Sequence, residues 1–156
     1  MSLLAAEYVL AAQMVLGASG LAQQYDANEV ACLGLNVYHE ARGANTVSQS
    51  AVAHVTLNRA KSSRFPDTIC GVVTQGGEDR RKGCQFSWWC DGRSDAPADG
   101  KAFREALYVA VSVLKGRFPD PTDGATYFVQ KRIRQPDWTR KLTRTVTLGG
   151  HNFYRY

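Results

Sequence analysis

The sequence predicts an α+β fold that is mostly helical and carries a small antiparallel β-sheet. Apolar residues recur at helical spacing through the first part of the chain, and β-rich runs lie in the last third. The 156 residues contain no internal repeat and no interdomain linker. Because 44% of them are hydrophobic, the chain can bury the core of one domain, which we place at residues 25–156.

Residues 1–24 form a separate apolar segment that is rich in alanine. The run from residue 3 to 22 is nearly as long as a membrane span, but Glu7 and Gln13 interrupt it and no basic residue precedes it. Three interpretations stay open: a first helix packed on the domain, a weak membrane anchor, and the remnant of a signal peptide. The anchor would give the protein a transient membrane association through residues 3–22.

Two helices come next and should form a helical hairpin. The first begins at Asp26 or Asn28, both good N-cap residues, and ends at Gly43. Thr46 opens a capping-box pattern, which predicts a second helix that continues to about Lys61. Because only a short turn separates the two helices, they are expected to pack side by side.

The middle of the chain holds elements of mixed character. Residues 68–73 predict a short apolar helix, and residues 76–83 are charged and bounded by glycine, which predicts a surface loop. Residues 84–92 are rich in aromatic side chains, and we expect them to be extended. Residues 99–116 have the longest clean helical pattern.

The last third carries β-rich runs at residues 125–129 and 143–148, with a basic stretch between them. The net charge of +5 favours polyanionic partners, which include nucleic acid, anionic lipid and acidic cell-wall polymers. A nucleic-acid module is one alternative, because residues 131–144 hold six basic side chains. No helix-turn-helix or aromatic nucleic-acid motif accompanies them, so we expect no specific nucleic-acid partner.

The four cysteines predict disulfides rather than a metal site. Their spacing contains no C-x2-C pair and no clustered histidines, so we expect neither a metal nor another cofactor. Cys84 and Cys90 bracket a short segment that suits a small stapled loop, and their pairing leaves Cys32 with Cys70. Reduced thiols in the core are the alternative, and an exported location favours the disulfides.

Glu40 is the candidate catalytic residue. It lies near the end of its helix, between His39 and Arg42, and Gly43 follows the helix end. A carboxyl group in this position can face a cleft, where loss of water raises its pKa and keeps a proton available for general-acid catalysis. The alternative is an ordinary surface glutamate that pairs with Arg42 or His39.

Two clusters mix aromatic rings with amide, hydroxyl or imidazole groups, a combination that suits a glycan groove. The first cluster comprises Gln85, Phe86, Ser87, Trp88 and Trp89. The second comprises His151, Asn152 and Tyr154. We expect the rings of Phe86, Trp88 and Tyr154 to line the groove near Glu40. Gln85 and Ser87 would bind N-acetyl or hydroxyl groups, and the alternative for the aromatic rings is a plug in the hydrophobic core.

Taken in order, these segments resemble one family, the SleB-type cell-wall hydrolases, also called spore-cortex-lytic enzymes. The segments that carry the resemblance are residues 37–43, Ala51-Val52-Ala53, Asn58-Arg59, Phe65-Pro66-Asp67-Thr68, Gln85-Phe86-Ser87-Trp88, Asp91-Gly92 and residues 149–154. The resemblance implies a lysozyme-like fold, related to lytic transglycosylases, that cleaves the glycan strands of peptidoglycan. It also implies that Glu40 is the catalytic acid.

This chain departs from the family pattern in its penultimate strand. Relatives commonly have a Thr-His-Tyr run where this chain has Thr126-Tyr127-Phe128. A histidine and a tyrosine hydroxyl of the family pattern are replaced here, and Tyr127 is kept as a candidate glycan contact. The departure does not affect Glu40.

The number of carboxylates decides between two routes of cleavage. Glycoside hydrolysis usually needs two of them. The other four glutamates are Glu7, Glu29, Glu78 and Glu105, which we place in an apolar segment, a charged loop or on polar helix faces. One acid favours a transglycosylase, in which the same residue serves as acid and then as base.

Three alternatives remain. A hydrolase would need a second carboxylate, for which Asp91 is the candidate, although Asp91-Gly92 also predicts a turn. A glycan-binding domain without catalysis and the nucleic-acid module are the others. We expect a monomer that is exported to the periplasm or cell wall, in bacterial wall remodelling or phage lysis.

Overall fold

The structure is a computed structural model that describes residues 5–77 and 83–156. Over these residues the chain forms five α-helices: α1 (Ala6–Ala18), α2 (Ala27–Ala41), α3 (Thr46–Lys61), α4 (Ile69–Val73) and α5 (Gly100–Leu114). Two 3₁₀ turns lie at Ser87–Trp89 and Asp137–Lys141. The strands are β1 (Tyr127–Gln130), β2 (Thr143–Leu148) and β3 (His151–Arg155). The α+β fold that the sequence predicts is confirmed.

Helix α2 lies at the centre of the helical layer. Ten of its fifteen residues are buried, because α1, α3, α4 and α5 all pack against it. Gly34 allows α5 to come close, since a Cβ at this position would lie 2.5 Å from Cδ2 of Leu107. The central helix is therefore held on several sides, and the orientation of its last turn is fixed by the core.

Helix α1 packs on the domain rather than standing apart from it. Leu16 is buried, and the ring of Tyr8 meets Phe103 of α5 edge to face at 5.8 Å between centroids. The Lys115 ammonium group donates a 2.9 Å hydrogen bond to the carbonyl of Ser19. These contacts agree with the first of the three interpretations. Among the described residues, no helix is long and apolar enough to cross a membrane.

The N-caps differ in one place from the sequence prediction. Asp26 caps α2 as expected, because its carboxylate accepts hydrogen bonds from the backbone N–H groups of Asn28 and Glu29. Helix α3 is capped by Asn45, whose side chain accepts from Ser48 N at 2.9 Å, so the prediction of Thr46 as the cap is wrong by one residue. Asparagine is among the best N-cap residues, which accounts for the shift.

The aromatic segment at residues 84–92 is not extended, which corrects the prediction. A 3₁₀ turn at Ser87–Trp89 folds it back, and the indoles of Trp88 and Trp89 are buried in the core. Burial of two large rings stabilises the compact form over an extended one. Residues 78–82 of the predicted surface loop, which include Glu78, lie outside the described residues.

Both predicted cysteine pairings are confirmed. The disulfide between Cys32 and Cys70 links α2 to α4, with the Cα atoms 5.3 Å apart. The disulfide between Cys84 and Cys90 closes the loop that holds the two indoles, with the Cα atoms 5.9 Å apart. The first disulfide fixes α4 against the central helix, and the second fixes the fold of the aromatic segment.

The antiparallel sheet has the strand order β1-β3-β2, so the closing segment of the chain is its central strand. No strand was predicted for this closing segment. Gly149 and Gly150 connect β2 to β3 with φ angles of 56° and 80°, which a two-residue hairpin turn requires. The sheet packs on α3, because Phe153 is buried against Ala51 and Val55.

Candidate active site

Glu40 lies in the last turn of α2 and is half-buried. Burial raises the pKa of its carboxyl group from 4.5 to about 7, although the positive charge of Arg59 acts in the opposite direction. Within the described parts of the chain, no residue donates a hydrogen bond to this carboxyl group. Its oxygen atoms are therefore available to an incoming molecule, and it can hold a proton at neutral pH.

The two neighbours that were expected to pair with Glu40 have other partners. Arg42 donates a hydrogen bond to the hydroxyl of Tyr38, and its guanidinium lies 5.1 Å from the centre of that ring. His39 Nε2 lies 2.9 Å from the carbonyl oxygen of Asp95. Because both side chains bind elsewhere, the structure does not support the alternative in which Glu40 is a surface residue that pairs with Arg42 or His39.

The positive charge that lowers the pKa of Glu40 is that of Arg59, on helix α3. Arg59 is only 5% exposed, and its Nε donates a 2.6 Å hydrogen bond to the carbonyl of Thr126. Burial lowers its pKa to about 10, while Tyr127 and Glu40 favour its charged form. At neutral pH the guanidinium is therefore still charged. Its Nη1 has no hydrogen-bond partner among the described residues.

Aromatic rings surround the Arg59 guanidinium. Its central carbon lies 5.1 Å from the ring of Phe65, 5.0 Å from that of Phe86 and 5.3 Å from that of Tyr127. Such distances are typical of cation–π contacts, which are stronger where water is excluded. The rings hold the charge in place beside Glu40 and limit its hydration.

No function was predicted for Arg59, although it stands in a motif that supports the family resemblance. One signal could have identified it. Arg59 follows Val52 by seven residues and Val55 by four, so it lies on the apolar face of a helix. A charged side chain on such a face is buried at a cost, and buried charges near a cleft are often functional.

Phe86 and Trp88 are 3% and 7% exposed and belong to the core around α2. The indole N–H of Trp88 donates a 3.0 Å hydrogen bond to Oδ1 of Asn36, and its ring stacks on His39 with 4.4 Å between centroids. This burial favours the core alternative for most of each ring. Direct contact of either ring with a glycan stays a prediction.

The remaining predicted contacts of this segment are more accessible. Gln85 and Ser87 are exposed on either side of Phe86. Their side chains therefore face solvent beside two buried rings, while Phe86 connects the segment to Arg59. Hydrogen bonds from these two side chains to the N-acetyl or hydroxyl groups of a glycan stay a prediction.

Tyr127 and Tyr154 are direct cross-strand partners, so they project from the same face of the sheet. Tyr127 is half-buried beside Arg59, whereas Tyr154 is 6% exposed and donates a 2.8 Å hydrogen bond to Oε1 of Gln135. Tyr127 therefore contacts Arg59, the residue whose charge lowers the pKa of Glu40.

The structure does not place His151 with this group. His151 pairs with Gln130, at the other end of the β1–β3 pairing from Tyr127 and Tyr154. Three residues of extended chain separate the two ends by roughly 10 Å. His151 instead lines a groove of about 540 Å³ together with Lys131 and Arg132.

Glu29 and Asp91 both accept hydrogen bonds from backbone N–H groups. The Glu29 carboxylate accepts hydrogen bonds from Ile69 N at 2.6 Å and Cys70 N at 3.2 Å, so it caps α4. Asp91 is exposed and accepts from Arg93 N at 2.9 Å, which is the turn that its sequence predicts. In the described ranges, no cluster of three or more His, Cys, Asp or Glu side chains could hold a metal ion.

The sequence matches one family model over most of its length. Residues 43–154 match the model described as Cell Wall Hydrolase. The chain belongs to the cell wall hydrolase family. The matched region includes Arg59, the aromatic segment and the sheet, and it begins three residues after Glu40. The SleB-type resemblance noted from the motifs is thereby confirmed at the level of the family.

Curated relatives of this cell wall hydrolase domain are spore cortex-lytic enzymes. The one from Halalkalibacterium halodurans is 33% identical over 129 residues, which are 83% of this chain and 35% of the relative. The one from Oceanobacillus iheyensis is 33% identical over 131 residues, or 84% of this chain and 43% of the relative. The chain therefore spans less than half the length of these relatives.

Solved structures confirm the fold of this cell wall hydrolase. It is similar to the catalytic domain of the Bacillus cereus SleB protein, with a TM-score of 0.64 and 27% identity over 84% of this chain and 92% of that one. It is equally similar to the catalytic domain of the germination-specific lytic transglycosylase SleB from Bacillus anthracis. That match has a TM-score of 0.64 and 26% identity, over 85% of this chain and 98% of the other.

Proposed function

We propose that this domain, residues 25–156, cleaves the glycan strands of peptidoglycan as a lytic transglycosylase, with Glu40 as its catalytic residue. The observation that carries the proposal is the half-buried Glu40 carboxyl group, whose pKa is raised to about 7. A general acid or base works best when its pKa lies near the working pH. Membership of the cell wall hydrolase family supplies the substrate class.

The reaction needs two proton transfers and no water. Glu40 first protonates the glycosidic oxygen, the bond from this oxygen to C1 breaks, and the N-acetyl group of the sugar helps to stabilise C1. The 6-hydroxyl oxygen of the same muramyl residue then bonds to C1 and gives its proton to Glu40, so that a 1,6-anhydro ring forms. Because the proton returns, the carboxyl group ends in its starting state.

The hydrolytic alternative needs a second carboxylate to activate water. Asp91 is the sequence candidate, but its carboxylate accepts the Arg93 backbone N–H in an exposed turn. Glu29 is held by the first turn of α4. These contacts favour the transglycosylase route over hydrolysis. A glycan-binding domain without catalysis would give no reason for the raised pKa of Glu40.

The test replaces Glu40 with glutamine, which keeps the shape of the side chain but cannot deliver a proton. Digestion of purified sacculi should slow by about 10²–10⁴-fold or more. Glu105→Gln, an exposed change on α5, is the matched control and should digest normally. Mass spectrometry of the wild-type products should find 1,6-anhydromuramic ends. Reducing ends would indicate hydrolysis, and full activity of Glu40→Gln would remove Glu40 from the mechanism.

The predicted glycan-binding residues divide into those near the cleavage site at Glu40 and one that lies far from it. Gln85, Ser87 and Tyr127 are accessible and close to the Phe86–Arg59 contact, so we assign them to the cleavage site. Phe86, Trp88 and Tyr154 support it mainly from beneath. His151 would meet only a distant part of the strand, because it lies at the opposite end of the sheet pairing.

The protein is expected to act as an exported monomer in the periplasm or cell wall, since its substrate lies there. Residues 3–22 would give it a transient membrane contact. Leu10 and Met14 of α1 are 58% and 69% exposed, which supports such a contact. Sedimentation with anionic phospholipid vesicles should fall when both are changed to serine. Equal sedimentation of the variant and the wild type would contradict the membrane contact.

A further inference from the structure

Two aromatic residues that the family resemblance did not include, Trp138 and Tyr156, form an accessible cluster with Tyr127. Trp138 and Tyr156 are 44% and 59% exposed, although both side chains are large and mostly apolar. Each packs on the ring of Tyr127, with 5.4 Å between centroids for Trp138 and 5.9 Å for Tyr156. We call Tyr127, Trp138 and Tyr156 the aromatic platform. Clustered exposed rings of this kind mark binding surfaces more often than single ones do.

The platform continues from the candidate active site. The guanidinium of Arg59 lies 5.3 Å from the Tyr127 ring, and Arg59 is the cation that Glu40 senses. Tyr127 therefore has Arg59 as one neighbour and Trp138 as another. A glycan strand that is cleaved at Glu40 extends on both sides of the bond that breaks. Only the Tyr127 ring separates Trp138 from Arg59, so a sugar beyond the cleaved bond can reach the platform.

The loop before Trp138 is tied to the sheet, so the backbone that carries this ring is held in place before a ligand arrives. Gln135 Nε2 donates to the carbonyl oxygens of Gln130 at 2.9 Å and Ile133 at 3.0 Å, while its Oε1 accepts from Tyr154. Thr139, which follows Trp138, is buried and donates to the carbonyl of Pro136 at 2.7 Å. Preorganised rings lose little conformational entropy on binding.

Polar groups at the edge of the platform suit a sugar better than a purely apolar ligand. The hydroxyls of Tyr127 and Tyr156 lie 3.4 Å apart. The Arg64 guanidinium stacks over one face of the Tyr156 ring, 3.6 Å from its centre. The exposed Trp138 ring can stack on the C–H face of a pyranose, while the tyrosine hydroxyls and the Arg64 guanidinium nearby can bind its hydroxyl and N-acetyl oxygens.

We propose that the aromatic platform binds an N-acetylated sugar ring of the glycan strand, next to the sugars that are cleaved at Glu40. The identity of this ligand rests on the proposed function. The platform adds Trp138 and Tyr156 as residues that decide which length of strand is held and cleaved efficiently. A short fragment that ends before the platform should bind more weakly than one that reaches it.

Tryptophan fluorescence tests the platform directly, because Trp88 and Trp89 are 7% and 6% exposed whereas Trp138 is 44% exposed. Soluble glycan strands, freed of their stem peptides, are titrated into Glu40→Gln so that no cleavage interferes. Binding should shift the emission to shorter wavelength. Trp138→Phe should keep the affinity and lose the shift, and Trp138→Ala should weaken binding by about tenfold.

The control is Tyr108→Ala, on α5, because Tyr108 is 54% exposed and lies outside the platform. It should bind as tightly as the parent, and thermal unfolding should show that Trp138→Ala is folded. Equal affinity of Trp138→Ala and the parent would overturn the proposal, as would binding without an emission shift. Strands that fail to bind, or that bind only with their stem peptides attached, would overturn it as well.

Failure of the platform proposal can be distinguished from failure of the proposed function, because binding by the Trp138 variants and cleavage by Glu40→Gln are measured separately. Cleavage by Glu40→Gln would contradict the assignment of Glu40, and the platform would then be judged from the initial emission shift on mixing, which precedes turnover. Loss of cleavage in Glu40→Gln together with unchanged binding by Trp138→Ala would support the proposed function and reject the platform.

Discussion

Replacing Glu40 with glutamine should stabilise the folded protein at alkaline pH and change its stability little at acid pH. The folded-state pKa of about 7 lies above the ordinary value of 4.5 because the carboxyl group is buried. Below pH 4.5 the group is protonated in both states. As the pH rises from 4.5 to 7, the unfolded chain releases the proton while the folded protein keeps it, so the free energy of unfolding falls. Above pH 7 the loss is complete.

The size of this loss follows from the two pKa values. The interval from 4.5 to about 7, at about 1.4 kcal/mol per pKa unit, gives an upper estimate of about 3.5 kcal/mol. The attraction of Arg59 is already contained in that folded-state value. Glutamine resembles the protonated carboxyl group at every pH, so the variant does not lose this stability. For a domain of this size, the melting temperature should rise by about 7–14 °C at pH 9.

Thermal unfolding of the wild type, Glu40→Gln and the control Glu105→Gln at pH 4, 7 and 9 measures the effect, with the disulfides kept intact. Only Glu40→Gln should gain on the wild type as the pH rises. A difference between Glu40→Gln and the wild type that is the same at pH 4 and pH 9 would refute the reasoning. It would mean that Glu40 titrates alike in the folded and unfolded protein.

Two further predictions concern the surroundings of Glu40 and the disulfides. Arg59→Met should move the alkaline limb of the pH–activity profile to higher pH, because the cation that lowers the Glu40 pKa is gone, while Arg59→Lys should move it less. An unmoved limb in Arg59→Met would exclude this influence. Replacing the pair Cys32 and Cys70, which are 38 residues apart, should cost about 4 kcal/mol, and replacing the pair six residues apart about 2 kcal/mol. Denaturant unfolding of the two double-serine variants gives the order, and a larger cost for the shorter loop would contradict it.

Most of the helical layer was predictable, because it follows from local signals. Apolar periodicity, the Asp26 cap and the glycine at residue 43 together place α2, and similar signals place α3 and α5. The segments that were predicted wrongly depend on distant partners. Residues 84–92 fold into a 3₁₀ turn because their indoles are buried against α2, which no local pattern reveals. The central strand β3 was missed because its pairing with β1 and β2 is defined only by the sheet.

The candidate site was predictable in part for the same reason. Glu40 could be found because a helix end, its neighbours and the family motif all coincide within seven residues. Arg59 could not be linked to it, since nineteen residues and a turn separate the two, and only the packing of α2 on α3 brings them together. Trp138 was missed because an isolated tryptophan in a basic segment has no signal until its ring meets Tyr127.

A transglycosylase with one carboxyl group needs that group to give up a proton and then to take one back. Burial alone would raise the pKa of Glu40 further, and a group that holds its proton too tightly is a poor acid. Arg59 opposes the burial and brings the pKa to about 7, where both forms of Glu40 are populated at neutral pH. Phe65, Phe86 and Tyr127 surround this cation and keep water from screening it. It follows that the buried ring of Phe86 can contribute to catalysis without touching a sugar, by preserving the charge that sets the pKa of Glu40.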